Sequence, residues 1–126
     1  MPIDATKPYD RGNVFARILR GELPCNKVHE DEHALAFHDL NPQAPVHVLV
    51  IPKGEYVSWD DFSERASDAE LAGLVRAVGL VARDMGLVPR GYRLLTNIGR
   101  LAGQEVGHLH VHLFGGQPLG PMLARH

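Results

Sequence analysis

The sequence predicts an α+β domain with a mostly antiparallel sheet. Three observations carry that reading. Two segments repeat apolar residues at helical spacing, five short segments read as strands, and Pro- and Gly-rich turns separate them. Their order is helix, three strands, helix, two strands, with no repeat of the strand–helix alternation that builds parallel sheets.

The elements follow in turn. Residues 1–12 are polar, with two prolines, and read as an extended or frayed arm. Asn13 can cap a helix whose stripe is Val14, Phe15, Ile18 and Leu19, and Gly21 stands where a helix stops. Lys27–Glu30 and Ala34–Asp39 read as strands joined by the turn Asp31-Glu32-His33. Asn41-Pro42-Gln43-Ala44-Pro45 cannot continue a strand; Val46–Ile51 is the next, ended by Pro52. The longest helix is expected over 68–85. Ser67 and Glu70 form a capping box, Leu71, Leu74, Val75, Val78, Val81, Ala82 and Met85 form the stripe, and Gly86 stops it. Ala69, Gly73, Ala77 and Leu80 make a second, small-residue face that hints at a subunit contact. Tyr92–Asn97 and His108–Phe114 are the last strands, with a glycine-bearing loop between them, and residues 115–126 form an irregular tail.

Composition narrows the function. The chain has 126 residues, 44% of them apolar and 22% charged, which suits one domain with its own core, here 1–126. Thirteen Lys and Arg against fifteen Asp and Glu give a net charge of −2, so a dedicated nucleic-acid binder is disfavoured. The start, MPIDATKPYDRG, shows no apolar run behind a basic region, and no stretch is long enough for a membrane helix. With Cys25 alone, no internal disulfide forms. A cytoplasmic protein without membrane or nucleic-acid partners is expected.

Three of the eight histidines, His108, His110 and His112, lie within five residues and alternate with Leu109, Val111 and Leu113. On a strand that alternation puts the apolar residues on one face and the imidazoles on the other, across roughly 13 Å at about 3.3 Å per residue. Idle solvent-facing histidines fit such regularity poorly. Two richer readings compete. Histidines at i and i+2 can share a metal, with His47 or His38 adding a ligand, although no tight carboxylate cluster accompanies them. Alternatively, a neutral imidazole attacks phosphorus while a second donates a proton and a third fixes the nucleophile's tautomer. The residues alone leave both open.

His108-Leu109-His110-Val111-His112-Leu113-Phe114 resembles the histidine-triad motif, His-φ-His-φ-His-φ-φ with φ apolar. The block from Phe37-His38-Asp39-Leu40-Asn41-Pro42 to Val46-His47-Val48 and on to Lys53 resembles that family's second block, and Gly91-Tyr92-Arg93 through Asn97 to Gly103-Gln104 its third. The resemblance covers about 13–123 and is nearest the bacterial members of the Hint branch, purine nucleoside phosphoramidases. It implies a five-stranded antiparallel meander with two helices, its sheet extended across a two-fold homodimer. It also implies hydrolysis of purine nucleoside 5′-phosphoramidates, with AMP or GMP as the nucleotide part and aminoacyl-adenylates as further substrates.

By that resemblance His110 is the nucleophile, His112 contacts the α-phosphate and assists the leaving group, and His108 supports His110, with His47 in a proton relay. Asp39 holds the ribose. Phe15, Ile18, Phe37, His38 and Leu40 wall the base pocket. Asn97, Gly103 and Gln104 contact phosphate or ribose, and Glu105 and Val106 complete the nucleotide site. No cofactor is implied. Relatives with a structural zinc hold it by cysteines where this chain has Asn13 and Ala16, so no metal is expected. Glu105 stands where several animal members carry a phosphate-binding serine, and Gly107 where an aromatic residue is frequent. Tail residues 122–126 are placed to reach the partner's site. The rival reading is a nucleotide-binding regulator or scaffold with incidental hydrolysis. A dinucleoside polyphosphate hydrolase or nucleotidyltransferase is disfavoured because such branches carry glutamine where His112 stands.

Overall fold

A computed structural model describes residues 2–124. Eight elements follow in order: α1 (Val14–Leu19), β1 (Lys27–Glu30), β2 (Ala34–His38), β3 (Val46–Pro52), α2 (Trp59–Arg65), α3 (Asp68–Asp84), β4 (Arg93–Leu95) and β5 (Val111–Gly115). The sheet is five-stranded and antiparallel, in the order β1-β2-β3-β5-β4. The meander therefore holds for β1 to β3. It breaks after β3, where β5 inserts and leaves β4 at the edge.

The predicted caps form. Asn13 accepts the Ala16 N–H at 2.9 Å, and Ser67 and Glu70 close a reciprocal box on α3. Gly86, with φ of 71°, follows the end of α3 in the left-handed region that a residue with a Cβ avoids. α2 is a third helix where two are expected from the sequence. Its seven residues carry only Trp59 and Phe62 as apolar anchors, too few for a visible helical stripe. Tertiary structure supplies the rest: Phe62 is fully buried, and the Asp61 carboxylate accepts the N–H groups of Val57 and Ser58 at 2.8 Å each.

The sheet separates two cores. Ala34, Ala36, Val48, Val50, Leu109, Val111 and Leu113 pack against α2 and α3. Leu35, Phe37, Leu49 and Ile51 pack against Phe15 of α1 on the other face. A one-residue slip would exchange these sets, so register is pinned from both sides. Leu74, Val81 and Leu113, at 1% exposure or less, each contribute about 1.5–3 kcal/mol of burial.

Two members of the small-residue face of α3, Gly73 and Ala77, meet their own chain, while Ala69 is exposed and Leu80 half-buried. Ala77 is buried in the core, and a Cβ on Gly73 would stand 2.5 Å from His33 Cβ, so Gly73 is where the helix crosses the β1–β2 turn. Residues 2–12 of the arm are tied to the domain. Ile3 donates its N–H to the Gln104 carbonyl at 2.7 Å, and Arg11 pairs with Glu55 at 2.9 Å. Beyond β5 the tail is irregular, held where the Arg93 guanidinium donates to the carbonyls of Leu119, Gly120 and Pro121. Arg125 and His126, the end of the segment expected to reach a partner, lie outside the described residues. No helix among the described residues is long and apolar enough to cross a membrane.

Candidate active site

Leu109, Val111 and Leu113 point into the α3 core, and the three histidines take the α1 face. The ladder itself is shorter than expected. It begins at Val111, which pairs with Val50, because the chain preceding it finds other partners. Leu109 donates its N–H to the Tyr56 carbonyl at 2.8 Å, and Thr96 Oγ1 donates to the His110 carbonyl at 2.9 Å. Extended backbone keeps the alternation without a paired strand.

Hydrogen bonds assign a tautomer to each ring. His110 Nδ1 lies 2.8 Å from the His108 carbonyl, which only accepts, so Nδ1 carries the proton and Nε2 keeps a free lone pair. The Gln43 N–H donates to His47 Nδ1 at 3.2 Å, so His47 carries its proton on Nε2. That proton faces His112 Nδ1 at 2.9 Å, which leaves His112 with an Nε2–H donor. His110 thus offers a lone pair and His112 a proton, on rings 5.0 Å apart. The hydrogen-bond partner of His47 is His112, not His108.

Burial is the first cause of every shift among these rings. It pushes His108 and His112 down to about 4, aided in both by the neighbouring His110 and in His112 also by His47. His110 is lowered by burial, against the opposing pull of the His108 carbonyl, Asp39 and Glu105. His47 is lowered by burial, against Asp39. All four are therefore neutral at pH 7.

His110 and His112 open into a cleft of about 250 Å³. Of the expected site residues, Phe15, Ile18, Phe37, His38, Asp39, Leu40, Glu105 and Val106 line it with them. Phe15 and Phe37 serve both wall and core: they are buried, meet edge to face at 5.5 Å, and Phe15 sets its ring 5.0 Å from that of His110. Asp39 accepts the Asn41 N–H at 2.8 Å, an Asx turn, and places its other oxygen 3.4 Å from His47 Nε2. His108 and His47 stand behind the lining.

Three expected contacts are not brought to the cleft. Gln104 is buried and its amide is consumed, donating to the carbonyls of Val57 and Val106 and accepting the Gly99 N–H at 2.9 Å. It anchors the loop that carries Glu105 and Val106. Gly103, with φ of 74°, closes a turn in that loop, and Asn97 is not among the residues that line the cleft. Conversely, Pro24, Cys25, Asn26 and Leu49 line the cleft unanticipated. For Leu49 the signal was available, since it shares strand parity with His47.

Asp39, His47 and His112 bring ligand atoms within 4.8 Å of one another. A cation there would need the His47 Nε2 lone pair, but that atom bears the proton while the Gln43 N–H holds Nδ1. The cluster is wired for hydrogen bonding.

The HIT domain matches residues 20–119. This chain belongs to the HIT, or histidine-triad, family. Within it the chain is of the Hint type, and the HIT motif is the strand just described. It is 66% identical over 119 residues to an uncharacterized 13.2 kDa HIT-like protein of Azospirillum brasilense, covering 94% of this chain and 98% of that one. It is 42% identical over 111 residues to the purine nucleoside phosphoramidase of Escherichia coli K12, covering 88% and 92%. The HIT family hydrolase from Clostridium thermocellum superposes with a TM-score of 0.82 at 43% identity, covering 91% and 99%.

Proposed function

We propose that this protein hydrolyses purine nucleoside 5′-phosphoramidates through a nucleotidyl-histidine intermediate. HIT membership supports the broader class, a nucleotide hydrolase, and the phosphoramidase relative supports the substrate. One observation carries the mechanism: a free His110 lone pair and a His112 N–H enter the same cleft from one strand face.

Asp39 takes the ribose hydroxyls, and Phe15, Ile18 and Phe37 wall the purine. His110 Nε2 attacks the α-phosphorus, forming a P–N bond to imidazole as the P–N bond to the amine breaks. His112 Nε2–H hydrogen-bonds the phosphoryl oxygens and transfers its proton to the departing nitrogen as that bond breaks. Water then attacks phosphorus and returns a proton to His112 Nε2 as the P–N bond to His110 breaks, and nucleoside monophosphate departs. The donors face a group carrying about one negative charge, so no metal is needed to neutralise it. Glu105 lines the cleft close enough for its charge to act on His110, and in this reading it serves the leaving group, since a carboxylate turned to the phosphate would repel it.

The reading includes a homodimer. β4 is an edge strand with Leu94 45% exposed, beside an apolar groove lined by Trp59, Val75, Tyr92 and Ile98. Pairing two β4 edges would extend the sheet and cover that surface.

Adenosine and guanosine 5′-phosphoramidates, assayed with and without chelator, test the proposal. Saturable turnover indifferent to chelator is expected. Nucleoside monophosphate binding without turnover would instead support a binding module, and loss of activity in chelator would overturn the metal-free mechanism.

A further inference from the structure

The arm lies across the catalytic face. Ile3 fills the space that Gly107 leaves, with its Cδ1 3.7 Å from where a Cβ would stand, and the Ile3 N–H is tied to Gln104. Asp4 closes a turn on Thr6, Asp10 closes one on Gly12, and Arg11 reaches Glu55. Between these anchors the Tyr9 hydroxyl lies 2.6 Å from His108 Nδ1, with the phenol ring edge-on to the imidazole.

We propose that Tyr9 is a positioning residue for the reaction: its hydroxyl donates to His108 Nδ1 and holds that ring in the Nε2–H tautomer behind His110. The inference rests on the reading of His110 as nucleophile. His108 Nε2 faces the Pro52 carbonyl at 2.8 Å and must donate to it, so a neutral His108 has only Nδ1 as acceptor, and Tyr9 fills it. Burial raises the phenol, which keeps it protonated and able to donate. With both nitrogens held, the His108 main chain is fixed, and its carbonyl fixes the His110 tautomer at 2.8 Å. The charged or titratable groups acting on His108 are His110 of its own strand, which disfavours protonation, and Glu55 and Asp61, which favour it. Tyr9 tips this balance by stabilising the neutral ring.

The test is Tyr9→Phe in the full chain, which keeps the ring and removes only the hydroxyl. In long-range ¹H–¹⁵N spectra, wild-type His108 should read as the Nε2–H tautomer with a hydrogen-bonded Nδ1. In the variant, Nδ1 should lose that signature and the His108 midpoint should rise by about half a unit to one unit, the worth of one hydrogen bond. With adenosine 5′-phosphoramidate, kcat should fall about threefold to tenfold while KM stays within about twofold. An unchanged His108 spectrum and titration would overturn the proposal. If wild-type protein turns over no phosphoramidate, the mechanism fails while the spectra still decide the role of Tyr9.

Discussion

The segment that runs into β5 has two faces built from the same six residues. Leu109, Val111 and Leu113 close against α2 and α3 in a dry core, while His108, His110 and His112 meet hydrogen-bond partners and a cleft. Backbone geometry is shared, so the difference lies in what covers each face: two helices on one, and on the other a single short helix and an arm that leave a cleft of about 250 Å³. Stability and chemistry should therefore separate by residue parity.

The widest separation is expected from His110→Ala. It should lower phosphoramidase kcat about a thousandfold or more, because the lone pairs of His108, His47 and His112 are each taken by a hydrogen-bond donor while that of His110 is free. Leu113→Ala should do the reverse, costing about 2–5 kcal/mol in denaturant unfolding while the folded fraction keeps its kcat. Matching losses of activity and stability in both variants would break the division.

Much of this division was legible in the sequence because parity is a local property. Alternation alone assigned His110 and His112 to one face and Leu109 and Leu113 to the other. The caps at Asn13 and Ser67 were legible for the same reason, since their partners lie three residues away. What failed depended on distant partners. Gln104 looks like a ligand contact until the Val57 carbonyl is found beside its amide. Gly73 looks like a subunit contact until His33 is found against it. Tyr9, 99 residues from His108, sits in a stretch with no periodicity to mark it.

Smaller effects sharpen the comparison. Gly73→Ala gains about 1 kcal/mol of helix propensity but drives a Cβ into His33, so a net loss of about 1–3 kcal/mol is expected by thermal or denaturant unfolding. Acid should weaken the fold through the histidine face. His108 and His112 titrate near 4 when folded against an ordinary 6.5, so between these values the unfolded chain binds protons that the folded chain refuses. Their contribution is complete above 6.5, declines as pH falls toward about 4, and levels off below; denaturant midpoints across that window check it. His108→Asn should flatten that slope. Activity should persist below the ordinary imidazole range, because burial keeps His110 unprotonated there.

Rapid quench with adenosine 5′-phosphoramidate labelled in the phosphoryl group reaches the core of the account. An acid-labile adenylyl group on His110, formed and lost at rates matching turnover, is the expected result. Turnover without that adduct, or an adduct on His112 that survives His110→Ala, would contradict it.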